Sequence, residues 1–128
     1  MNVLLDAHVF LWVVMQPSEL SSKVRKLLES PATGLTVSAA SAWEIATKFR
    51  LGKLPDAKPI LADFDDVVGQ SGARMLAVTH VHALRADKYL QPHRDPFDRM
   101  LVAQAEIEAL PPVSKDRALW QFGVELLW

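Results

Sequence analysis

The segment from Asp95 to Ala105 places two carboxylates three residues apart at a predicted helix start. Proline suits the first turn of a helix, because the N–H that it lacks would have no partner there. We therefore expect Pro96 to be the first helical residue and Asp95 to be the N-cap, whose side-chain oxygen accepts a backbone N–H. Asp98 is left without a capping role and is free for chemistry.

Asp98 is predicted to lie at the top of a buried helix face. Leu101, Val102 and Ala105 follow it at the i+3, i+4 and i+7 spacing of an apolar stripe. An unpaired carboxylate beside such a stripe is costly. We therefore expect a cationic group close to Asp98.

Two more aspartates stand where predicted strands end. Asp6 follows the apolar run 3–5, and Asp116 follows the run 113–115. In open α/β sheets, ligands bind beyond the carboxyl ends of the strands, which makes both residues candidates for a site. Both also precede predicted helical segments, so a purely structural role as N-cap stays open for each.

Glu44 is the fourth candidate, and its spacing permits two structural readings. Ser41 and Glu44 match a capping box, and Glu44 with Lys48 matches a helical ion pair. A helix that begins at Ser38, directly after a strand, would place Glu44 in the second turn and exclude the capping box. The ion pair stays open.

Gathered together, these carboxylates indicate a metal site built from oxygen ligands. The chain has no cysteine, and its four histidines show no spacing typical of a shared metal. Mg²⁺ and Mn²⁺ prefer such ligands, and clustered carboxylates need a cation to remain ionised. The chemistry that follows is metal-assisted hydrolysis of a phosphodiester. A phosphatase with an aspartyl-phosphate intermediate is a weaker reading, because the position of its second acid is His8 here.

Short apolar strands that alternate with helices must position these residues. This alternation predicts an α/β fold with a central, mainly parallel sheet of about five strands. We expect one uninterrupted helix around 60–68, and a fourth strand shortened by Pro111 and Pro112, which lack ladder donors. The strands are predicted at 3–5, 35–37, 75–78, 113–115 and 124–127.

Composition limits the class of protein. With 128 residues, half of them hydrophobic, the chain is long enough for one domain over 1–128 with a real core. A net charge of −1 supplies no basic field for nucleic acid, so a polyanion would need local cations or a metal. Residues 1–6 lack the basic residues typical of a secretory leader, and the apolar run 9–15 is too short to span a bilayer, so we expect neither a leader nor a membrane span. We expect a cytoplasmic protein without membrane association.

Four segments resemble the PIN-domain ribonucleases, and within them the VapC-type toxins of type II toxin–antitoxin systems. They occur in order and with similar spacing over nearly the whole chain. The segments are LLDAHVFLW at 4–12, VSAASAWEIA at 37–46, RDPFDR at 94–99 and SKD at 114–116.

This resemblance implies a three-layer PIN-like fold and an Mg²⁺-dependent endoribonuclease, with Mn²⁺ able to substitute. The implied catalytic and metal-binding residues are Asp6, Glu44, Asp98 and Asp116. It also implies RNA as the substrate, a homodimer, and inhibition by an antitoxin protein within a higher assembly. A degenerate PIN module that binds RNA or a protein partner without cleaving is the alternative.

Asp95 then becomes a cap or an alternative ligand that reaches the metal through water. Arg94 and Arg99 flank the acids and are the best candidates for RNA contacts, with ion pairing as the alternative. One departure from the resemblance is Ala7, where the family commonly has Thr or Ser. Structural or surface roles are expected for the four histidines, His8, His80, His82 and His93. For the four tryptophans we expect core or dimer packing rather than base stacking: Trp12, Trp43, Trp120 and Trp128.

Overall fold

The computed structural model describes every residue from Met1 to Trp128. Three short 3-10 helices supplement the strands and α-helices, at Pro17–Glu19, Pro55–Ala57 and Arg117–Phe122. The strands are β1 Asn2–Leu5, β2 Gly34–Ser38, β3 Ala73–Leu76 and β4 Pro112–Val113. The α-helices are α1 Ala7–Met15, α2 Ser22–Glu29, α3 Ala39–Arg50, α4 Lys58–Ala62, α5 Phe64–Gln70, α6 His80–Lys88 and α7 Pro96–Ile107.

The four strands form one parallel sheet in the order β3-β2-β1-β4. In β1, Val3, Leu4 and Leu5 are all fully buried, as expected for a central parallel strand that is covered on both faces. Val3 and Leu5 pack into the core formed mainly with α1 to α5, whereas Leu4 packs into the core formed with α7. The predicted α/β architecture with helices on both faces of the sheet is confirmed.

The predicted strand at 124–127 is wrong, so the sheet has four strands where about five were expected. Residues 124–127 form no strand and contribute a single parallel bridge, between Val113 and Leu127. Leu127 donates its N–H to the carbonyl of Pro112 at 2.9 Å and accepts the N–H of Ser114 at 3.1 Å. The ladder stops there because β4 has only two residues, and the prolines at 111 and 112 have no N–H to extend it.

The prediction of one helix around 60–68 is also wrong. Asp63 takes a non-helical conformation (φ −146°, ψ 53°) and separates α4 from α5. Aspartate is a poor residue for a helix interior, because its side chain competes with the helical backbone for hydrogen bonds. Ile60 and Val68, on either side of the break, are both buried in the same core.

The parallel arrangement brings the carboxyl ends of β1, β2 and β4 to one edge of the sheet. The residues next in sequence are Asp6, the start of α3, and the segment from Ser114 to Asp116. This edge is where the predicted site residues meet. None of the helices combines the length and the apolar character needed to cross a bilayer.

Candidate active site

A cavity of about 290 Å³ opens at this edge of the sheet, and all five predicted carboxylates line it. They come from distant parts of the chain and are Asp6, Glu44, Asp95, Asp98 and Asp116. Basic and hydroxyl groups line the same cavity, among them Lys48, Lys115, His8 and Ser114. The geometry therefore gathers the candidate acids into one place and sets two lysines beside them.

Asp6 combines a capping role with a place in the cavity. Its Oδ1 accepts the N–H of His8 at 2.8 Å and caps α1. Its Oδ2 accepts the hydroxyl of Ser114 at 2.6 Å. Ser114 is fully buried, so it holds Asp6 in a fixed orientation. The structural and functional readings of Asp6 are compatible, because capping uses only one carboxylate oxygen.

Ser114 also links Asp6 to Asp116. Its Oγ accepts the N–H of Asp116 at 3.1 Å, while Oδ1 of Asp116 accepts the N–H of Ala118 at 2.9 Å and caps the last 3-10 helix. The sequence reading did not single out Ser114. Its signal was present, since it carries a hydroxyl two residues before Asp116.

Asp95 caps α7 as predicted. Its Oδ1 accepts the N–H groups of Phe97 at 2.9 Å and Asp98 at 3.3 Å, and Pro96 is the first helical residue. The apolar stripe below Asp98 is buried, as expected: Leu101, Val102 and Ala105.

Asp98 has the basic neighbour that its environment required. His93 Nε2 lies 2.8 Å from Asp98 Oδ2, and both side chains are 16% exposed. The pKa of Asp98 is raised to about 6, mainly by burial and also by the charges of Asp95, Asp6 and Asp116, while the hydrogen bond with His93 lowers it. His93 was not predicted to belong to the site. Its partnership with Asp98 depends on how the preceding loop folds.

Glu44 is buried and forms an ion pair with Lys48, with Nζ and Oε2 2.5 Å apart. Ser38 caps α3 by accepting the N–H of Ala40 at 3.0 Å, so the capping box with Ser41 is excluded. Burial raises the pKa of Glu44, only partly offset by Lys48, and the charge of Asp6 adds to the rise. Burial works against the charge of Lys48, but the hydrogen bond to Glu44 and its charge raise the pKa of Lys48 above its ordinary value.

Arg99 has a role other than the expected RNA contact or ion pair. A guanidinium has five N–H donors, and Arg99 directs all of them to backbone carbonyls. This commits the side chain to the loop that carries His93. Arg94 is exposed, and neither arginine lines the carboxylate cavity. The acceptors of Arg99 are the carbonyls of Ala86, Asp87, Tyr89, Gln91 and His93.

The donor chemistry of the cavity fits a hard divalent cation. Carboxylate oxygens dominate, and the pKa values of Asp98 and Glu44 are raised mainly by burial and further by the charges of neighbouring carboxylates, which a cation would offset. No three His, Cys, Asp or Glu side chains form a finished ligand cage. Two of the acids are held by His93 and Lys48, so a cation would have to compete with those contacts.

Known proteins share this fold and part of this sequence. A stretch of 61 residues, 48% of the chain, is 38% identical to Ribonuclease VapC16 of Mycobacterium tuberculosis and spans 43% of that protein. A solved toxin–antitoxin complex from Klebsiella pneumoniae contains a chain that superposes on this one with a TM-score of 0.61 and 12% sequence identity. The match covers 98% of this chain and 96% of the chain in the complex. That likeness concerns the fold alone. Residues 3–123 match the PIN domain, and the chain belongs to the PIN domain family.

Proposed function

We propose that this protein is a metal-dependent endoribonuclease that acts in the cytoplasm as the toxin of a type II toxin–antitoxin pair, and that residues 1–128 form a single PIN domain. The observation that carries the proposal is the cavity that is lined by Asp6, Glu44, Asp98 and Asp116. Within it, the charges of Asp6 and Asp116 contribute to the raised pKa of Asp98. Membership of the PIN domain family and the identity to a protein named Ribonuclease VapC16 support it.

The proposed ligands are the four acids of the cavity, with Mg²⁺ as the natural ion and Mn²⁺ as a substitute. When bound, the ion supplies Lewis-acid polarisation of a phosphate and neutralises negative charge. Ser114 keeps Asp6 oriented through its 2.6 Å hydrogen bond. Lys115 is exposed at the cavity and can attract the phosphate of the approaching RNA. Asp95 places α7 and is an alternative ligand.

The proposed partners are RNA, a cognate antitoxin and a second copy of the chain. A structural neighbour in a toxin–antitoxin complex supports the antitoxin, which would bind the homodimer in a higher assembly. Arg94 is exposed and has no side-chain hydrogen bond or ion pair, so it remains a candidate for an RNA contact. Arg99 is withdrawn from that role, because its donors are occupied.

Calorimetry and cleavage assays on the purified protein test the proposal together. We expect Mn²⁺ and Mg²⁺ to bind, and EDTA to abolish cleavage of single-stranded RNA. Asp6→Asn and Asp98→Asn should each weaken metal binding by about 10-fold or more and reduce cleavage at least as much. Asp87→Asn, an exposed acid outside the cavity, is the matched control and should behave as the wild type. Undiminished cleavage by both site variants would refute the assignment.

A PIN module that binds without cleaving is the second candidate. It is favoured by one observation, the contacts of His93 with Asp98 and of Lys48 with Glu44, which satisfy two acids without any metal. Such a module would bind RNA or a protein partner equally well in EDTA and in Mg²⁺. It would show no cleavage under either condition.

A further inference from the structure

An exposed aromatic ring stands beside the carboxylate cavity without a part in the proposed hydrolysis. Trp43 precedes Glu44 on α3, and 67% of its surface is exposed. Large aromatic residues normally bury their area in a core or at an interface. An indole held at the surface next to a buried carboxylate therefore calls for a ligand that covers it.

The position of the ring is fixed by a second aromatic residue. Phe97 meets Trp43 in a T-shaped contact, with ring centroids 5.2 Å apart and an interplanar angle of 80°. Phe97 also lines a narrow cleft shared with Asp6, Glu44 and Asp98. Each ring directly precedes one of the cavity acids in sequence. The aromatic pair therefore adjoins the rim of the cavity, and Phe97 supports the ring of Trp43.

We propose that the exposed ring of Trp43 stacks an unpaired RNA base adjacent to the phosphate that reaches the carboxylates. This inference rests on the proposed function, because the phosphate fixes where the neighbouring base lies. An aromatic side chain suits any base, since every base presents a flat π-face. Lys115, which is exposed in the adjoining cavity, provides the cationic complement that a phosphate needs and an apolar peptide does not. RNA is accordingly favoured over a protein segment as the occupant.

The site requires a single-stranded or unstacked base, because a base within a duplex has its faces covered by its neighbours. Trp43 would therefore select for unpaired segments at the point of cleavage. Stacking on a ring uses the face of the base and not its edge, so selection by base identity would be weak.

Binding of a single-stranded RNA oligonucleotide in EDTA tests the inference without relying on activity. Loss of one base–aromatic stack corresponds to roughly a 5- to 150-fold change in Kd. We expect Trp43→Ala to raise Kd within this range, and Trp43→Phe to restore most of the affinity. Trp120→Ala is the matched control, because Trp120 is 57% exposed and packs on Arg117, which lines neither the cavity nor the cleft, whereas Trp43 packs on Phe97 of the cleft. RNA should quench the fluorescence of the wild type more than that of Trp43→Phe.

With metal present, Trp43→Ala should raise KM for a single-stranded substrate more than it lowers kcat. Equal Kd values for wild type and Trp43→Ala would overturn the inference, as would equal losses in Trp43→Ala and Trp120→Ala. An unchanged RNA affinity with a weakened antitoxin complex would identify the ring as a protein contact and also overturn it. If the wild type binds RNA through Trp43 but never cleaves it, the hydrolysis fails and the stacking stands.

Discussion

Three of the aspartates that line the cavity are also the N-caps of helical elements. Asp6 caps α1, Asp95 caps α7, and Asp116 caps the last 3-10 helix. In each case one carboxylate oxygen accepts backbone N–H groups, and the other is free of that task. Helix capping thus fixes the direction of the carboxylates as well as the start of each element. At this scale, a structural role is part of how the site is positioned.

Asp98 should make the metal-free protein less stable as pH rises. Its pKa is about 6 in the folded protein, above the ordinary value of 3.8, so between these values the folded state binds more protons than the unfolded state. The free energy of unfolding attributable to Asp98 therefore falls as pH rises from about 4 to about 6. We expect Asp98→Asn to be more stable than the wild type at pH 7 in EDTA, by on the order of 1–2 kcal/mol after allowance for solvent screening.

Urea unfolding at pH 4 and pH 7 measures this difference. The advantage of Asp98→Asn should be present at pH 7 and shrink at pH 4, where the wild-type carboxyl is protonated in the folded state. Asp87→Asn, the removal of an exposed carboxylate outside the cavity, is the control and should not gain this stability at pH 7. A variant that is less stable than the wild type at pH 7 would contradict the prediction.

At the scale of elements, Arg99 connects α7 to the loop between α6 and α7. Its guanidinium donates to carbonyls from Ala86 to His93 at distances between 2.7 and 3.1 Å. The loop has no regular structure of its own between Tyr89 and Asp95, so these bonds fix its path. His93 reaches Asp98 as a result.

Replacing Arg99 should loosen this loop. Arg99→Ala leaves five carbonyls without their donor, and we expect a loss of about 2–4 kcal/mol in the free energy of unfolding. Arg99→Lys should recover little, because an ammonium has three donors and lacks the planar fork. Urea unfolding measures the loss, and hydrogen exchange should show reduced protection around residues 89–95.

Arg94→Ala is the matched control for Arg99. Arg94 lies in the same segment, is exposed and has no side-chain hydrogen bond or ion pair, so its removal should change stability by no more than about 0.5 kcal/mol. Equal effects of the two substitutions would show that charge in this region, rather than the hydrogen bonds, stabilises the loop.

At the scale of the whole molecule, the small net charge of −1 limits how many phosphates the surface can neutralise. Arg94 and Lys115 are the cations that we assign to RNA. For single strands, each phosphate contact changes the slope of log K against log salt by about −0.7. We therefore expect a slope of about −1.4 for binding of a single-stranded oligonucleotide in EDTA.

Lys115→Gln should reduce the magnitude of that slope by about 0.7, because it removes one phosphate contact. Lys23→Gln, on the exposed face of α2, should leave the slope unchanged. Titrations at several salt concentrations provide the measurement. A slope typical of six or more contacts would refute the assignment of RNA binding to these two cations.

The features that could be predicted from the sequence are those set by interactions between residues close together in the chain. The start of α7 depends on backbone hydrogen bonds within three residues and on the fixed φ of proline, so Asp95 and Pro96 could be read correctly. Strand positions were predicted from short apolar runs, and β1 and β2 lie at or within one residue of the expected ranges. The break at Asp63 and the missing strand at 124–127 could not be read, because both depend on how distant segments pack and pair.

The sequence by itself determined most of the alternation of strands and helices, the caps, and the positions of Asp6 and Asp116 after strands. Tertiary structure decided their partners. Ser114 reaches Asp6 across 108 residues, and His93 meets Asp98 in a loop whose path is fixed by Arg99. The reason is physical, since capping and periodicity act within a turn or a strand, whereas a side chain's partner depends on the packing of the whole chain. Asp98 was recognisable as an acid that needs a neighbour, and only the fold could supply it.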